Sequence, residues 1–369
     1  MGVSPGPSVT PPTIKSMEPK VYVVLVNWNG WADTIECLES LFRSEYGHYQ
    51  VIVCDNASTD GSWQQMHAWA KGTVDAPAAD HPTIRRYTNP PVGKPIPTVT
   101  YDRRTAESGG DDQAEAARLI LIQTGANLGF SGGNNVALRF ALRRKDFGYV
   151  WLLNNDTVVT PHSLSALVRR LEEWPEAGLC GSTLLFYDAP DIVQTRGGAA
   201  YNRWLATMTP LAKGESIYAG FDGPKIERRM DYVAGASTLV TRRFLEVVGL
   251  LSESYFLYCE ELDWVSRSAG RFALAYSPDS LVYHKEGQSV RATADARFHV
   301  ADYYIHRARL RYTRRFFPIA LPAVVIRTLV AVLARLWRGQ PRRAWTIFRL
   351  ILTKDTYAVP GPGDGARSS

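Results

Sequence analysis

Four short clusters of amide, hydroxyl and carboxylate side chains each follow a short apolar run in this 369-residue sequence. They occupy residues 27–30, 55–62, 125–135 and 154–156. A single cluster of this kind is typical of an ordinary turn, in which Asn, Asp and Ser side chains cap the backbone. Four of them at successive strand ends are more informative, because the carboxyl ends of parallel strands meet at one edge of a sheet. We therefore predict that the four clusters converge on one crevice.

The last of these clusters, Asn154-Asn155-Asp156, combines one carboxylate with two amides. A hard divalent cation such as Mg²⁺ is commonly held by one or two protein oxygens, while a diphosphate supplies further ligands. The cluster therefore predicts Asp156 as the anchor of a metal site. The alternative is that Asp156 caps the N-terminus of a helix over residues 157–163.

A second group of carboxylates, Glu260, Glu261 and Asp263, follows the aromatic residues Phe256 and Tyr258. Clustered acids raise the pKa of at least one member when they are partly buried, and such groups are common in active sites. The alternative is a solvated acidic first turn of a helix, which the helix dipole favours.

Several classes of protein are excluded by what the sequence lacks. It has no G-x-x-x-x-G-K-[ST] motif of P-loop nucleotide hydrolases, and no G-x-G-x-x-G after the first strand, as a dinucleotide oxidoreductase would have. The glycines of residues 129–133 would permit a ligand to approach the backbone closely. The four cysteines form no C-x-x-C pair, which argues against a disulfide framework or a thiolate zinc site and favours a reducing compartment.

The elements that must position these residues follow from the hydrophobic pattern. Residues 21–26, 51–54, 119–123 and 150–153 are short apolar runs rich in β-branched residues, which predicts buried parallel strands. Residues 33–42, 134–143 and 163–174 have helical periodicity. The alternation predicts an open α/β sheet that is mostly parallel in its first half, flanked by helices, and mixed from residue 180 onward.

Two local features qualify this pattern. Asp33 and Glu36 have the spacing of a capping box at the start of the first helix. The segment 71–117 is rich in proline and has little periodicity, so we predict a mobile surface insertion between the second helix and the third strand.

Basic charge is concentrated near the C-terminus. The chain has a net charge of +6, but residues 301–355 alone carry twelve Arg or Lys against two Asp. Because these residues alternate with apolar runs, we predict amphipathic helices over residues 306–352 on an anionic membrane surface, and no nucleic-acid partner. Arg327 interrupts the longest apolar stretch, which argues against a spanning helix. Dimerisation through the apolar stripe, giving a homo-oligomer, is the alternative.

The domain organisation follows from these boundaries. Residues 1–19 are rich in Pro, Ser and Thr and lack the apolar stretch of a secretion signal. We predict a flexible N-terminus at 1–19, a catalytic domain at 20–300, a basic helical region at 301–356 and a flexible tail at 357–369. The expected location is cytoplasmic, peripheral on the inner face of the cell membrane.

Five motifs, taken in order, resemble those of family 2 glycosyltransferases with the GT-A fold, and most closely those of bacterial rhamnosyltransferase-like members. The motifs are VVLVNWNG, DNASTDGS, GANLGFSGGNN, LLNNDT and FLYCEELDW. The resemblance extends from about residue 21 to residue 289. It implies a GT-A type open sheet and transfer of a sugar from a nucleotide diphosphate.

The resemblance also implies which residues bind the nucleotide sugar. Trp28 would stack on the base and Asp55 would accept a hydrogen bond from a pyrimidine N–H, roles that suit an aromatic face and a carboxylate. The alternative for Trp28 is a place in the core. Further residues implied in this pocket are Asn27, Asn29, Asn127, Asn135 and Asn155.

For metal and catalysis, the resemblance implies a site for Mg²⁺ or Mn²⁺ at Asp156, with Asn154 at a position where the family usually has a second aspartate. His284 occupies a position similar to that of a further metal or diphosphate ligand. Glu261, where the family usually has Asp, would be the base that deprotonates the acceptor hydroxyl, and Glu260 and Asp263 are the alternatives. Gly235 resembles the acceptor-side glycine.

Taken together, the motifs indicate an inverting glycosyltransferase with a dTDP or UDP sugar as donor, dTDP-L-rhamnose first among them. The acceptor would be a glycan or lipid-linked glycan of cell-wall or surface polysaccharide synthesis. The alternatives are a galactosyl, galactofuranosyl or N-acetylhexosaminyl transferase of the same fold, and a non-catalytic membrane-associated glycan-binding protein.

Overall fold

The computed structural model describes residues 18–77, 79, 81–285 and 294–353, with side chains from residue 301 onward in the last range. The predicted tail at 357–369 and nearly all of the predicted flexible N-terminus at 1–19 lie outside the described residues.

Strands and helices alternate along the described chain. The strands are β1 (Val21–Asn27), β2 (Tyr49–Asp55), β3 (Thr98–Asp102), β4 (Leu119–Gln123), β5 (Tyr149–Leu153), β6 (Thr157–Val159), β7 (Ala177–Phe186), β8 (Val193–Arg196), β9 (Gly198–Asn202), β10 (Thr207–Pro210), β11 (Tyr232–Val233), β12 (Ser237–Thr241) and β13 (Ala273–His284). The helices are α1 (Trp31–Leu41), α2 (Ser62–Lys71), α3 (Pro82–Thr88), α4 (Arg103–Glu107), α5 (Gln113–Ala116), α6 (Gly129–Arg144), α7 (Ser163–Glu173), α8 (Gly223–Arg229), α9 (Arg242–Val248), α10 (Glu260–Ser268), α11 (Ala294–Phe316), α12 (Leu321–Trp337) and α13 (Pro341–Leu352).

The main sheet has ten strands in the order β3-β4-β2-β1-β5-β12-β7-β13-β6, with β8 paired to β7. From β3 to β5 all neighbours are parallel. Beyond β5 the sheet is mixed, because β12 lies antiparallel between β5 and β7, whereas β13 is parallel to β7. The predicted GT-A type open α/β sheet, mostly parallel in its first half, is confirmed.

Helices cover both faces of this sheet. Alternate residues of β1 face opposite layers: Val23 packs in the layer that contains α1, α2 and α7, whereas Val24 packs in the layer that contains α6 and α9. Because both of these layers are apolar, successive residues of a strand are all buried, and the strands appear as continuous apolar runs in the sequence. With both faces buried, polar chemistry is confined to the strand ends.

The segment 71–117 corrects the predicted surface insertion. It contains α3, α4 and α5, and its strand β3 extends the sheet by pairing in parallel with β4. Ile96 and Tyr101 are buried, and Lys94 Nζ forms an ion pair with the buried Glu39 carboxylate at 2.7 Å. Prolines and short elements hide this order, since a five-residue edge strand carries little periodic signal.

Helix α1 also differs from the prediction, because it has no capping box. Its N-cap is Gly30, which forms no side-chain cap. Asp33 and Glu36 instead accept hydrogen bonds from Lys285 Nζ at 2.6 and 2.5 Å. Since Lys285 directly follows β13, this buried ion pair joins the end of β13 to α1.

A small antiparallel sheet, in the order β10-β9-β11, lies beside the main sheet. It joins the main sheet through Gly197, whose N–H donates to Ser182 O at 3.0 Å. On its other side Tyr201 of β9 packs edge-on against Tyr312 of α11, with ring centroids 5.2 Å apart. The small sheet therefore lies between the main sheet and the C-terminal helices.

The basic C-terminal region, where amphipathic helices over residues 306–352 are predicted, forms three helices. Helix α11 begins at Ala294, so the predicted domain boundary at residue 300 falls inside a helix. Helix α12 buries one stripe, Val324, Thr328 and Val332. Within the part of the chain that the structure describes, one segment, Pro318–Trp337, is long and apolar enough to cross a bilayer, with a mean hydropathy of 2.0.

Candidate active site

The ends of three neighbouring strands are joined by a buried hydrogen-bond chain. Asn27 Nδ2, at the end of β1, donates to Asp55 Oδ1 at the end of β2, at 2.7 Å. Asn155 Nδ2, after β5, donates to Thr34 Oγ1 at 2.9 Å, and Thr34 Oγ1 donates to Asn27 Oδ1 at 2.9 Å. Asn56 Nδ2, in the cluster after β2, also donates to Gly129 O at 3.0 Å, so the fourth cluster adjoins the other three.

The loops after β1 and β2 are fixed to each other. Asp55 accepts hydrogen bonds from Ser58 Oγ at 2.6 Å and Ser58 N at 3.1 Å. Asn29 has a left-handed backbone, with φ of 53°, and its Oδ1 accepts from Thr59 N at 2.7 Å. Trp28 projects from this paired loop, is half-buried and belongs to none of the hydrophobic clusters in the described residues. The core alternative for Trp28 is therefore wrong.

Asp156 lies in the turn between β5 and β6 with only 2% of its surface exposed. Neither carboxylate oxygen has a hydrogen-bond partner among the described residues. Its nearest polar neighbour is His284, whose Nε2 lies 3.3 Å from Asp156 Oδ1 and 3.3 Å from Asn154 Nδ2. The helix-cap alternative is wrong, because residues 157–159 form β6 and Asp156 caps nothing.

His284 is oriented from its other ring nitrogen. Nδ1 lies 2.7 Å from Gln194 Oε1, so Nδ1–H donates to that oxygen and Nε2 faces Asp156 and Asn154. Burial alone would raise the pKa of Asp156, but the positive charge of the neighbouring His284 holds that pKa below its usual value. The pair thus presents an ionised carboxylate and an imidazole nitrogen to the same point.

These residues fit a divalent cation, since a buried carboxylate without a partner, an imidazole nitrogen and an amide converge there. The described part of the chain contains no group of three or more His, Cys, Asp or Glu that could hold a metal without other ligands. A cation held at Asp156 and His284 would therefore need ligands from the substrate.

The acidic pair lines a cavity of about 260 Å³ that Asn154 and His284 also line. Glu260 is 3% exposed, and its Oε2 has no hydrogen-bond partner within the described chain. Burial, and then the neighbouring charge of Glu261, raise the pKa of Glu260 well above its usual value. Burial raises the pKa of the half-buried Glu261 to about 7. The solvated-helix alternative is therefore wrong for both.

Backbone strain directly precedes this pair. Tyr258 and Cys259 both adopt left-handed conformations, with φ of 71° and 66°, which non-glycine residues rarely do. Both side chains line the cavity together with Glu260. Such strained positions are characteristic of sites where the chain must present particular groups.

Gly235 lies directly against Glu261 in the wall of the same cavity. A Cβ atom at residue 235 would overlap with Glu261 Oε1. The resemblance implies that Gly235 is the acceptor-side glycine, and in the structure Glu261 occupies the space that a side chain at this position would take.

Asp263, the third candidate base, does not line the cavity. It is completely buried, and its carboxylate forms ion pairs with Arg267 Nε at 2.6 Å and Arg315 Nη1 at 3.0 Å. A carboxylate held by two guanidinium groups is a poor base, so this alternative is corrected: Asp263 joins α10 to α11.

The Asn- and Gly-rich segment at the start of α6 is also mainly structural. Asn135 is buried, and its amide is occupied by Leu251 and Glu253, which corrects its predicted place in the donor pocket. Asn127 Oδ1 accepts from Gly129 N at 3.0 Å and caps the start of α6. A Cβ atom at Gly129 would overlap with Phe256, so this glycine permits close packing of protein rather than of a ligand.

Two functional positions were not predicted. Gln194 fixes His284 from β8, and nothing in the sequence around it marks this role. Lys285 ties the same strand end to α1 through Asp33 and Glu36. The spacing of Asp33 and Glu36 predicts a capping box, but their partner Lys285 lies about 250 residues later and is identified only by the fold.

Comparison with known proteins identifies the family of this chain. The family model described as glycosyl transferase family 2 matches residues 22–89 and 108–229. The N-acetylglucosaminyl-diphospho-decaprenol L-rhamnosyltransferase of Mycobacterium tuberculosis is 26% identical over 253 residues, covering 60% of this chain and 80% of the relative. The low-salt glycan biosynthesis hexosyltransferase Agl10 of Haloferax volcanii is 25% identical over 151 residues, covering 41% of this chain and 46% of that protein.

Among solved structures, the mannosyltransferase PcManGT from Pyrobaculum calidifontis, in complex with GDP-Man and Mn²⁺, is similar at 15% identity with a TM-score of 0.49. The alignment covers 91% of this chain and 88% of that one. The matched family model spans just over half of the chain and includes β1, β2, β4 and β5 with their strand-end clusters. The chain therefore belongs to glycosyl transferase family 2 and is a hexosyltransferase-type enzyme.

Proposed function

We propose that this protein is a metal-dependent inverting glycosyltransferase that moves L-rhamnose from dTDP-L-rhamnose to a lipid-linked glycan. The observation that carries the proposal is a cavity with two different ends. Asn154 and His284 line one part of it, and His284 Nε2 lies 3.3 Å from the unpartnered carboxylate of Asp156, which itself does not line the cavity; the buried Glu260 and the half-buried Glu261 line another part. One end suits a diphosphate and its counter-ion, the other a sugar hydroxyl.

At the diphosphate end, Asp156 and His284, with Asn154, would hold Mg²⁺ or Mn²⁺. The cation would neutralise the negative charge that develops on the departing nucleoside diphosphate. The chain's own contribution is orientation: Gln194 holds the His284 ring, and Thr34 of α1 fixes Asn155. Trp28 and Asp55, at the ends of β1 and β2, are left to bind the base.

At the acceptor end, Glu261 would take the proton from the attacking hydroxyl. A base is most effective when its pKa is near the working pH, and burial raises the pKa of Glu261 to about 7. Glu260 stays protonated more readily than Glu261, because the charge of Glu261 adds to its burial. We therefore assign the base to Glu261, and give Glu260 the role of a neutral hydrogen-bond donor beside it.

The choice of rhamnose is supported by the Mycobacterium tuberculosis relative, which is an N-acetylglucosaminyl-diphospho-decaprenol L-rhamnosyltransferase. By analogy the setting is cell-wall or surface polysaccharide synthesis in the cytoplasm. A lipid-linked acceptor requires the enzyme to reach a membrane surface.

The exposed face of α12 suits that surface. Ile326, Val330, Leu333 and Trp337 recur at helical spacing opposite the buried stripe, and Trp337 is 90% exposed. Arg338 and Arg342 are exposed at the end of this face. An apolar face bordered by cations favours an anionic bilayer interface. Flotation with phosphatidylglycerol vesicles tests this, and Trp337→Asp should reduce the bound fraction; equal binding of the variant counts against it.

The donor assignment is tested by incubating the enzyme with dTDP-L-rhamnose, UDP-galactose, UDP-galactofuranose and UDP-N-acetylglucosamine, with and without Mn²⁺, and measuring nucleoside diphosphate. We expect release from dTDP-L-rhamnose in the presence of the cation. Release from a UDP sugar instead would replace the donor but keep the enzyme class. No release from any donor, with a farnesyl-diphosphate-linked N-acetylglucosamine acceptor present, contradicts catalysis and favours a glycan-binding role.

A further inference from the structure

An excess of buried positive charge lies where α11 meets α12, behind the small sheet. Arg309 of α11 is largely buried, and its Nε has no hydrogen-bond partner within the described residues. Arg327 of α12 lies close enough to lower the pKa of Arg309 further, after burial itself. Two guanidinium groups of like charge held together without an anion are unfavourable.

The carboxylate nearest to this pair is already occupied. Asp302 is bound by Arg335 through both guanidinium nitrogens that face it. Arg327 Nη1 is held by a neutral group, Leu205 O, at 2.8 Å. Burial, with the neighbouring arginines opposing the effect of Asp302, lowers the pKa of His306 to about 4, so His306 adds no charge. The described residues therefore leave Arg309 and Arg327 without a matching anion.

Two further hydroxyls lie at the same place. Those of Tyr201 and Thr313 are buried and lie close to each other, but neither forms a hydrogen bond of good geometry with any described group. Thr313 lies one helical turn after Arg309, and Tyr201 is close to both residues. Buried donors without an acceptor are costly, so Arg309 Nε and this pair of hydroxyls indicate a missing acceptor.

This group of donors is continuous with the cavity of the active site. Tyr201 is paired with Met208 across β9 and β10, and Met208 lines the cavity. Cys259, which directly precedes Glu260, also lines the cavity and packs in one cluster with Ala308, the neighbour of Arg309. An anionic group at Arg309 would therefore sit beside the acceptor end of the cavity rather than at Asp156.

Apolar surface continues outward from the same point. Trp204 and Leu205, in the turn between β9 and β10, are each 49% exposed, and the Leu205 carbonyl is fixed to Arg327. Beyond them lies the exposed face of α12. An anion site between a cavity for sugar and an apolar surface matches the order of parts in a sugar–diphosphate–lipid.

We infer that Arg309 and Arg327, with the Tyr201 and Thr313 hydroxyls, bind the diphosphate of a lipid-linked acceptor whose sugar enters the cavity and whose lipid lies on the turn between β9 and β10 and on α12. The inference rests on the proposed function and names the acceptor class that fits the same site. It assigns a role to basic residues that lie far along the chain from the family motifs.

The test measures binding to the full-length protein by titration calorimetry in EDTA, so that a divalent cation at Asp156 does not contribute. The probes are farnesyl diphosphate, inorganic pyrophosphate and farnesol. Arg309→Gln should weaken the binding of farnesyl diphosphate and pyrophosphate about ten- to hundredfold, as expected for loss of a charge-assisted hydrogen bond, and leave farnesol unchanged. Arg228→Gln, an exposed arginine of α8, is the control and should change none of them.

A milder variant guards against misfolding. Tyr201→Phe removes one unpartnered hydroxyl and should weaken farnesyl diphosphate binding several-fold while the unfolding midpoint stays unchanged. Nucleoside diphosphate release from the donor without acceptor should be the same in all variants, which separates this inference from the proposed function. Equal losses in Arg309→Gln and Arg228→Gln, undiminished diphosphate binding in Arg309→Gln, or weaker binding of anionic vesicles alone would overturn the site.

Discussion

Replacing Glu261 by Gln should make the protein more stable at alkaline pH while it abolishes transfer. Burial raises the pKa of Glu261 from 4.5 to about 7 in the folded state. Between these values the folded state binds more protons than the unfolded state, so the free energy of unfolding falls as pH rises. Above pH 7 the folded protein carries the full cost of an ionised buried acid, and a neutral amide of the same shape removes it.

The size of the effect follows from the shift. Each pKa unit corresponds to roughly 1.4 kcal/mol, so the shift amounts to about 3 kcal/mol at most. Because part of the Glu261 side chain is exposed to solvent, we expect about half of this, near 1.5 kcal/mol. In a chain of this size that raises the melting temperature by about 2 °C.

The assay compares thermal and urea unfolding of the wild type and Glu261→Gln at pH 5 and pH 8. The variant should gain stability at pH 8 and differ little at pH 5, where Glu261 is protonated. Glu172→Gln, on the exposed side of α7, is the matched control and should give no pH-dependent difference. A Glu261→Gln protein that is no more stable at pH 8 than the wild type would refute the claim that burial raises the pKa of Glu261.

Three further predictions concern activity. Transfer should rise with pH and level off above an apparent pKa of about 7, because the base must be ionised; a profile flat from pH 5.5 to 8.5 contradicts Glu261 in this role. Gly235→Ala should reduce transfer at least tenfold, since its methyl group overlaps with Glu261 Oε1, whereas Gly220→Ala, at an open position, should be neutral. Trp28→Ala should weaken dTDP binding about tenfold, as expected for loss of a base-stacking contact; unchanged affinity removes Trp28 from the base site.

The first half of the fold could be predicted from the sequence because its strands are buried on both faces. Each of the runs that became β1, β2, β4 and β5 is continuous and apolar, and a polar cluster marks where each ends. The same rule led to Asp156, whose predicted position after β5 is the place where the structure has an unpartnered carboxylate. Local pattern and tertiary position agree there.

The failures lie where distant parts of the chain meet. Glu36 was interpreted from its neighbour Asp33, but both bind Lys285, which no local pattern connects to them. Asp263 was grouped with Glu261 by spacing, yet on α10 the two side chains point to different surroundings, one to the cavity and one to Arg315. Spacing along a helix gives the face of a residue, whereas the partner on that face comes from packing.

The prediction of a ligand-binding loop at residues 129–133, the start of α6, was wrong for a related reason. Glycine- and asparagine-rich sequences suit both ligand loops and tight helix packing, and residues 129–133 are used for packing against Phe256 and β1. The helices of the C-terminal region were predicted by composition, but their docking onto β9 and β10 through Arg327 depends on a contact between residues more than a hundred positions apart.

The central claim is that Asp156 and His284 form the diphosphate end of a glycosyltransferase site. Its most direct test is calorimetric titration of dTDP into the wild type, Asp156→Asn and the exposed control Asp188→Asn, each with and without Mn²⁺. We expect Mn²⁺ to tighten dTDP binding at least tenfold in the wild type and in Asp188→Asn, and to have no effect in Asp156→Asn. Cation-enhanced binding that persists in a folded Asp156→Asn protein would contradict the site.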